Sequence, residues 1–95
     1  MPAYVVVNVE VTSPEEYAEY IKQAPVSIAR YGGRYLARGG RAETLEGEWQ
    51  PKRFVVLEFP SYDQAKAWWN CEEYREPRKL RQRTAKTNMI VVDGL

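Results

Sequence analysis

Ninety-five residues, 44% hydrophobic and 28% charged with a formal net charge of +1, suffice for one core with a modest stability margin and exclude both a disordered chain and a general polyanion binder. No run approaches the ~18 apolar residues of a membrane span, and the opening Met1-Pro2-Ala3-Tyr4 enters a strand pattern with no signal-peptide features. Histidine is absent and Cys71 is the lone cysteine, which removes imidazole-activated nucleophiles, imidazole- or thiolate-bound metal and any internal disulfide, and fits a reducing, cytoplasmic setting.

Ala3 to Val11 alternates, with Ala3, Val5, Val7, Val9 and Val11 on one face and Tyr4, Val6, Asn8 and Glu10 on the other, as a strand requires. Ser13-Pro14-Glu15-Glu16 has the form of a capping box with proline at the first helical position. The helix that follows carries Tyr17, Tyr20, Ile21, Ala24, Ile28 and Tyr31 on one stripe. Pro25 removes a donor inside it, predicting a kink or restart. Gly32-Gly33 ends the helix.

Arg34 to Arg38 forms a short strand, with Tyr35 and Ala37 on one side and Arg34, Leu36 and Arg38 on the other. Gly39-Gly40 marks a turn or bulge, and the strand is extended beyond it over Arg41 to Glu46. A loop at Gly47 to Pro51 leads into the strand Lys52 to Phe59, where Phe54, Val55, Val56, Leu57 and Phe59 make both faces apolar and Glu58 is the exception among them. Ser61 and Gln64 repeat the capping signal ahead of a helix bearing Ala65, Trp68 and Trp69. A second helical piece covers roughly Glu72 to Ala85, and Asn88 to Asp93 closes the chain as a strand.

The order β-α-β-β-α-β is that of a ferredoxin-like sandwich, an α+β fold in which a four-stranded antiparallel sheet carries two helices on one face. It is expected as a single domain over residues 1–95. Two helices cover only one face of such a sheet. The other face would expose an apolar patch large enough to mark an interface. A homodimer packed sheet to sheet is therefore expected, with cavities for a small molecule.

Several stretches resemble the domain-of-unknown-function 1330 family: Tyr17-x-x-Tyr20, Tyr31-Gly32-Gly33-Arg34-Tyr35, Arg38-Gly39-Gly40, Leu45-Glu46-Gly47-x-Trp49, Glu58-Phe59-Pro60-Ser61, and Ala67-Trp68 ahead of Tyr74 and Arg81. The resemblance implies a dimeric α/β barrel of ferredoxin-like subunits, an architecture shared by small-molecule monooxygenases, isomerases and dehalogenating enzymes. It carries no established activity. It also implies a role near a pocket for Arg81, as partner to a carboxylate.

Arg38, just before the glycine pair, suits a carboxylate or enolate because its guanidinium fork bonds two oxygens; the alternative is an ion pair with Glu58 or with the other subunit. Glu58 among apolar residues is either arginine-paired or a raised-pKa general base. Arg38 and Glu58 are the catalytic candidates. Asn8, Gly39, Trp49, Trp68, Tyr74 and Arg81 are the ligand-binding ones, the aromatic members offering stacking surfaces or simply core. Cys71 lacks a base and is expected to be a bystander. The basic segment Arg75 to Lys86 is diluted by Glu72, Glu73 and Glu76, so a solvated helix face is expected in place of nucleic-acid binding. No cofactor and no metal are expected. If the cavity is catalytic, cofactor-independent chemistry on a small organic acid or aromatic compound is implied; the rival is a non-catalytic binding or structural homodimer.

Overall fold

The computed structural model describes residues 1–95. The elements run β1 (Ala3–Val11), α1 (Pro14–Arg30), β2 (Arg34–Arg38), β3 (Arg53–Phe59), α2 (Tyr62–Asn70), α3 (Glu72–Thr84) and β4 (Ala85–Asp93). All strand pairs are antiparallel, and the sheet order is β2-β3-β1-β4. This is the ferredoxin-like arrangement expected from the element order. Its helices number three, because the second helical layer breaks at Cys71, whose extended backbone ends α2 and opens α3. No helix is long and apolar enough to cross a membrane.

The β1 alternation buries Val5, Val7 and Val9 on the helix side, where Val55, Leu57 and Phe59 of β3 join them. Trp68 fills the centre, with its ring 5.3 Å from Phe59 and 4.2 Å from Tyr74. Its Nε1 donates to Ser27 Oγ at 3.1 Å, and that hydroxyl donates to the Ala24 carbonyl at 3.0 Å. The buried polar atoms around the ring are thus satisfied.

Some local expectations change. α1 passes through Pro25 without a break. Ser13 makes no side-chain bond to a helix amide; its Oγ donates to Glu16 Oε1 at 3.3 Å. Ser61 does cap α2, accepting from the Gln64 amide at 3.1 Å. The stretch Arg41 to Glu46 is exposed and irregular, so no strand continues past Gly39, where φ is +66°. β4 starts at Ala85, earlier than the alternation from Asn88 suggests.

The most consequential change lies in β2. Arg34 pairs with Glu58 and Tyr35 with Leu57, but Ala37 then pairs with Val56 and Arg38 with Val55, with the register shifting between Tyr35 and Ala37. Residues directly opposed across an antiparallel pair share a face. The irregularity at Leu36 therefore undoes the simple alternation. Tyr35 and Arg38 both lie on the helix face, and Arg34 lies on the open face with Glu58.

That open face carries Val6, Phe54, Val56, Ile90 and Val92, and no helix covers it. Ile90 is 61% exposed and Val92 44%.

Candidate functional site

β3 begins its helix-side row with Arg53 and continues it with Val55, Leu57 and Phe59. A guanidinium is thereby carried under α1, 5.9 Å from the Tyr17 ring, and its Nε is buried with no hydrogen-bond partner. Gly39 makes this placement sterically feasible. A β-carbon at that position would lie 2.9 Å from Arg53 Cζ and closer still to its Nη1.

Arg38 reaches the same region from β2. Its guanidinium lies 4.4 Å from the centre of the Tyr35 ring, and Nη2 donates to the Ile21 carbonyl at 3.0 Å. Arg81 arrives from α3 and is only 4% exposed. Its Nε donates to Tyr74 Oη at 3.3 Å, and that hydroxyl lies 2.7 Å from Tyr20 Oη.

Together Arg38, Arg53 and Arg81 line a cavity of about 30 Å³ between sheet and helices, with Tyr17, Tyr20 and Tyr35 among its walls. Such a volume admits a water-sized group. No aspartate or glutamate lines it, and none of the three arginines has a carboxylate within salt-bridge distance. Of the three only Arg81 is fully buried, Arg53 being half-buried and Arg38 exposed; a buried cation without a counterion is costly to fold around.

The tyrosines respond in the opposite sense. Burial pushes the Tyr20 hydroxyl well above its ordinary value, with the neighbouring Tyr74 hydroxyl adding to the rise. Burial also raises Tyr17 against the pull of Arg53, and Tyr35 against that of Arg38. At neutral pH these groups are hydrogen-bond donors, and none is a base.

Of the residues singled out from sequence, Arg38 and Arg81 line this cavity, as does one edge of Trp68, which is otherwise core. Tyr74 backs it through Tyr20 and Arg81, and Gly39 lies against Arg53. The others are elsewhere. Glu58 is on the open face, where Arg34 Nε and Nη2 both donate to its Oε1 at 2.7 Å. Arg38 and Glu58 are therefore on opposite sides of the sheet and do not form one site. Asn8, also on the open face, accepts from the Lys52 amide at 3.0 Å. Trp49 packs edge-on to Phe54 with centroids 5.7 Å apart and stays 60% exposed. Cys71 is buried in the core. Arg75, Lys79 and Arg83 meet Glu72, Glu76 and Glu16 respectively.

Arg53, Tyr17, Tyr20 and Tyr35 were not marked as site residues by sequence reasoning. For Arg53 a signal exists: it occupies the same alternating row as Val55, Leu57 and Phe59, and a charge in an otherwise core-facing row calls for an explanation.

Comparison with known proteins places this fold on a common scaffold. A crystal structure of a protein of unknown function from Rhodopseudomonas palustris superposes with a TM-score of 0.79 at 22% identity, covering 99% of this chain and 82% of that one. SnoaB, a cofactor-independent oxygenase from Streptomyces nogalater, matches with a TM-score of 0.67 at 12% identity, covering 99% of this chain and 93% of its own. A dimeric ferredoxin-like protein of unknown function from Jannaschia sp. CCS1 also gives 0.67, at 9% identity over 99% of this chain and all of that one. At these identities the likeness is one of fold. No protein with a curated description matches. A family model described as "domain of unknown function (DUF1330)" covers residues 2–95, and the chain belongs to that family.

Proposed function

We propose that this protein is a homodimeric binder of a small organic anion, held between sheet and helices by Arg38, Arg53 and Arg81. One observation carries the reading: three arginines without carboxylate partners converge on a cavity whose lining contains no acid. A carboxylate, enolate or phenolate oxygen entering there would accept from two guanidinium forks at once. The cavity's small volume suits the charged head of the ligand alone. The body of the ligand would extend past the exposed Arg38 side chain, whose guanidinium would turn from the Ile21 carbonyl onto the anion.

The chemistry available is correspondingly specific. With no histidine in the chain and Glu58 on the far face of the sheet, the cavity offers no base for proton abstraction near neutral pH. It offers guanidinium and phenol donors that stabilise negative charge on oxygen. Binding of a preformed anion is the favoured reading. Catalysis here would be cofactor-independent, as in the similarly folded SnoaB, and would require a substrate that ionises unaided.

The dimer is supported by the uncovered apolar face and by the dimeric protein of like fold. Joining two such faces would remove Ile90 and Val92 from water and leave the arginine cavity on the helix side.

The test is thermal denaturation of wild type, Arg38→Ala and Arg53→Met with a panel of aromatic and keto acids. A ligand at a hundred times its Kd stabilises by about 2.7 kcal/mol, a shift on the order of 10 °C for a chain of this size. The variants should keep their fold and show a smaller shift than wild type. Equal shifts in all three proteins would reject the reading.

A further inference from the structure

A second and larger concavity lies beside the edge strand. Between β4 and the corner of α2 and α3 runs a groove of about 510 Å³, within the range of small-molecule sites. Val5, Trp68, Ala85, Met89 and Val91 give it an apolar wall. Its polar lining is Lys66, Asn70, Arg81, Gln82 and Thr87, with no aspartate or glutamate.

Two of those polar groups are incomplete. Thr87 Oγ1 is buried and has no hydrogen-bond partner. Arg81 has one side-chain hydrogen bond, through Nε to Tyr74, and no acid. A buried hydroxyl left without a partner costs stability that a bound acceptor would recover, and Arg81 and Lys66 favour an acceptor that is negatively charged.

We propose that this groove is a binding site for an apolar monocarboxylate, adjoining the small arginine cavity and sharing Arg81 with it. The carboxylate lies at Arg81 and accepts from the Thr87 hydroxyl. Lys66 supplies a second positive charge at the exposed rim. The hydrocarbon body lies along Met89 and Val91. Only Trp68, Arg81 and Met89 border both concavities. Only Ile90 is common to the groove and the open sheet face, so the groove stays accessible in a dimer built on that face.

The experiment is titration of the full-length protein with 2-naphthoate and, in parallel, neutral 2-naphthamide, followed by calorimetry and by amide shifts in heteronuclear NMR. The expected result is saturable shifts centred on Lys66, Thr87 and Met89. Lys66→Gln and Thr87→Val should each weaken 2-naphthoate several-fold, and Arg53→Met should leave the groove affinity unchanged. The amide should bind at least tenfold more weakly than the acid. The exposed Lys66 substitution keeps the test decisive if Thr87→Val fails to fold. Equal binding of acid and amide, or shifts confined to Tyr17, Tyr35 and Arg53, would overturn the proposal. The second outcome would still support the arginine cavity.

Discussion

Arg38 Nη2 donates to the carbonyl of Ile21 at 3.0 Å, and the carbonyl is available because Pro25 stands four residues later. In an uninterrupted helix the amide of residue 25 would bond that oxygen. Proline has no amide hydrogen to give. The helix stays continuous, the freed acceptor faces β2, and a cavity arginine is anchored to it.

Pro25→Ala should restore the intrahelical bond and release Arg38. Proline in a helix interior costs ~3 kcal/mol relative to alanine, part of which the Arg38 bond offsets, so a rise in stability of about 1–2 kcal/mol is expected. The guanidinium should become more mobile. Thermal melts and hydrogen exchange at the Arg38 Nη–H groups check the two effects, and an unchanged exchange rate would show that the bond does not hold the side chain.

The adjacent glycines should behave differently. Gly39 has φ +66°, and a β-carbon there meets the Arg53 guanidinium, whereas one at Gly40 meets nothing within 4 Å. Gly39→Ala should cost on the order of 1–2 kcal/mol through backbone strain and displace Arg53, weakening anion binding as well. Gly40→Ala should be near neutral for both. Chemical denaturation of the two variants side by side makes the comparison.

On the open face, Ile90→Asp places a charge in the middle of the proposed sheet-to-sheet contact. Sedimentation should show a monomer for the variant and a dimer for wild type, with far-ultraviolet circular dichroism unchanged because Ile90 is 61% exposed in the single chain. A dimer that survives the substitution would place its interface elsewhere.

Stability should fall at high pH in a way traceable to Tyr20. Its folded-state pKa is raised above the reference 10.0, chiefly by burial. The unfolded chain therefore loses this proton first, and the folded state is progressively disfavoured as pH rises above about 10. Below that, the contribution is constant. Tyr20→Phe should flatten the alkaline limb of a stability–pH curve, and an identical slope in the variant would point to other groups.

The strand and helix order was legible because hydrophobic periodicity in β1, α1 and β3 is strong and the glycine and serine punctuation is clear. The faces of β2 were not. Alternation puts Arg38 beside Arg34, but the register shift at Leu36 sends them to opposite sides of the sheet. Such an irregularity depends on how β2 meets β3, a long-range pairing that no local pattern encodes. The same shift puts Arg38 on the face away from Glu58, which lies directly opposite Arg34 ahead of the irregularity. Pro25 reads locally as a break, because the side chain that occupies its freed carbonyl lies in a different element. Arg53 was visible as a charge in a core row, yet its partners Tyr17 and Gly39 come from distant parts of the chain.

The two concavities share one property: neither lining holds an acidic side chain or a histidine, and the ionisable groups present are arginine, lysine and tyrosine. None of those changes charge near neutrality at ordinary values. With no carboxylate or imidazole in either lining, the pH sensitivity of binding is expected to come from the guest. Below a weak acid's own pKa, its apparent affinity should drop about tenfold per pH unit as its ionised fraction falls. A series of congeners differing only in acidity would trace out their own titration curves, with the polypeptide acting as a fixed positive electrode.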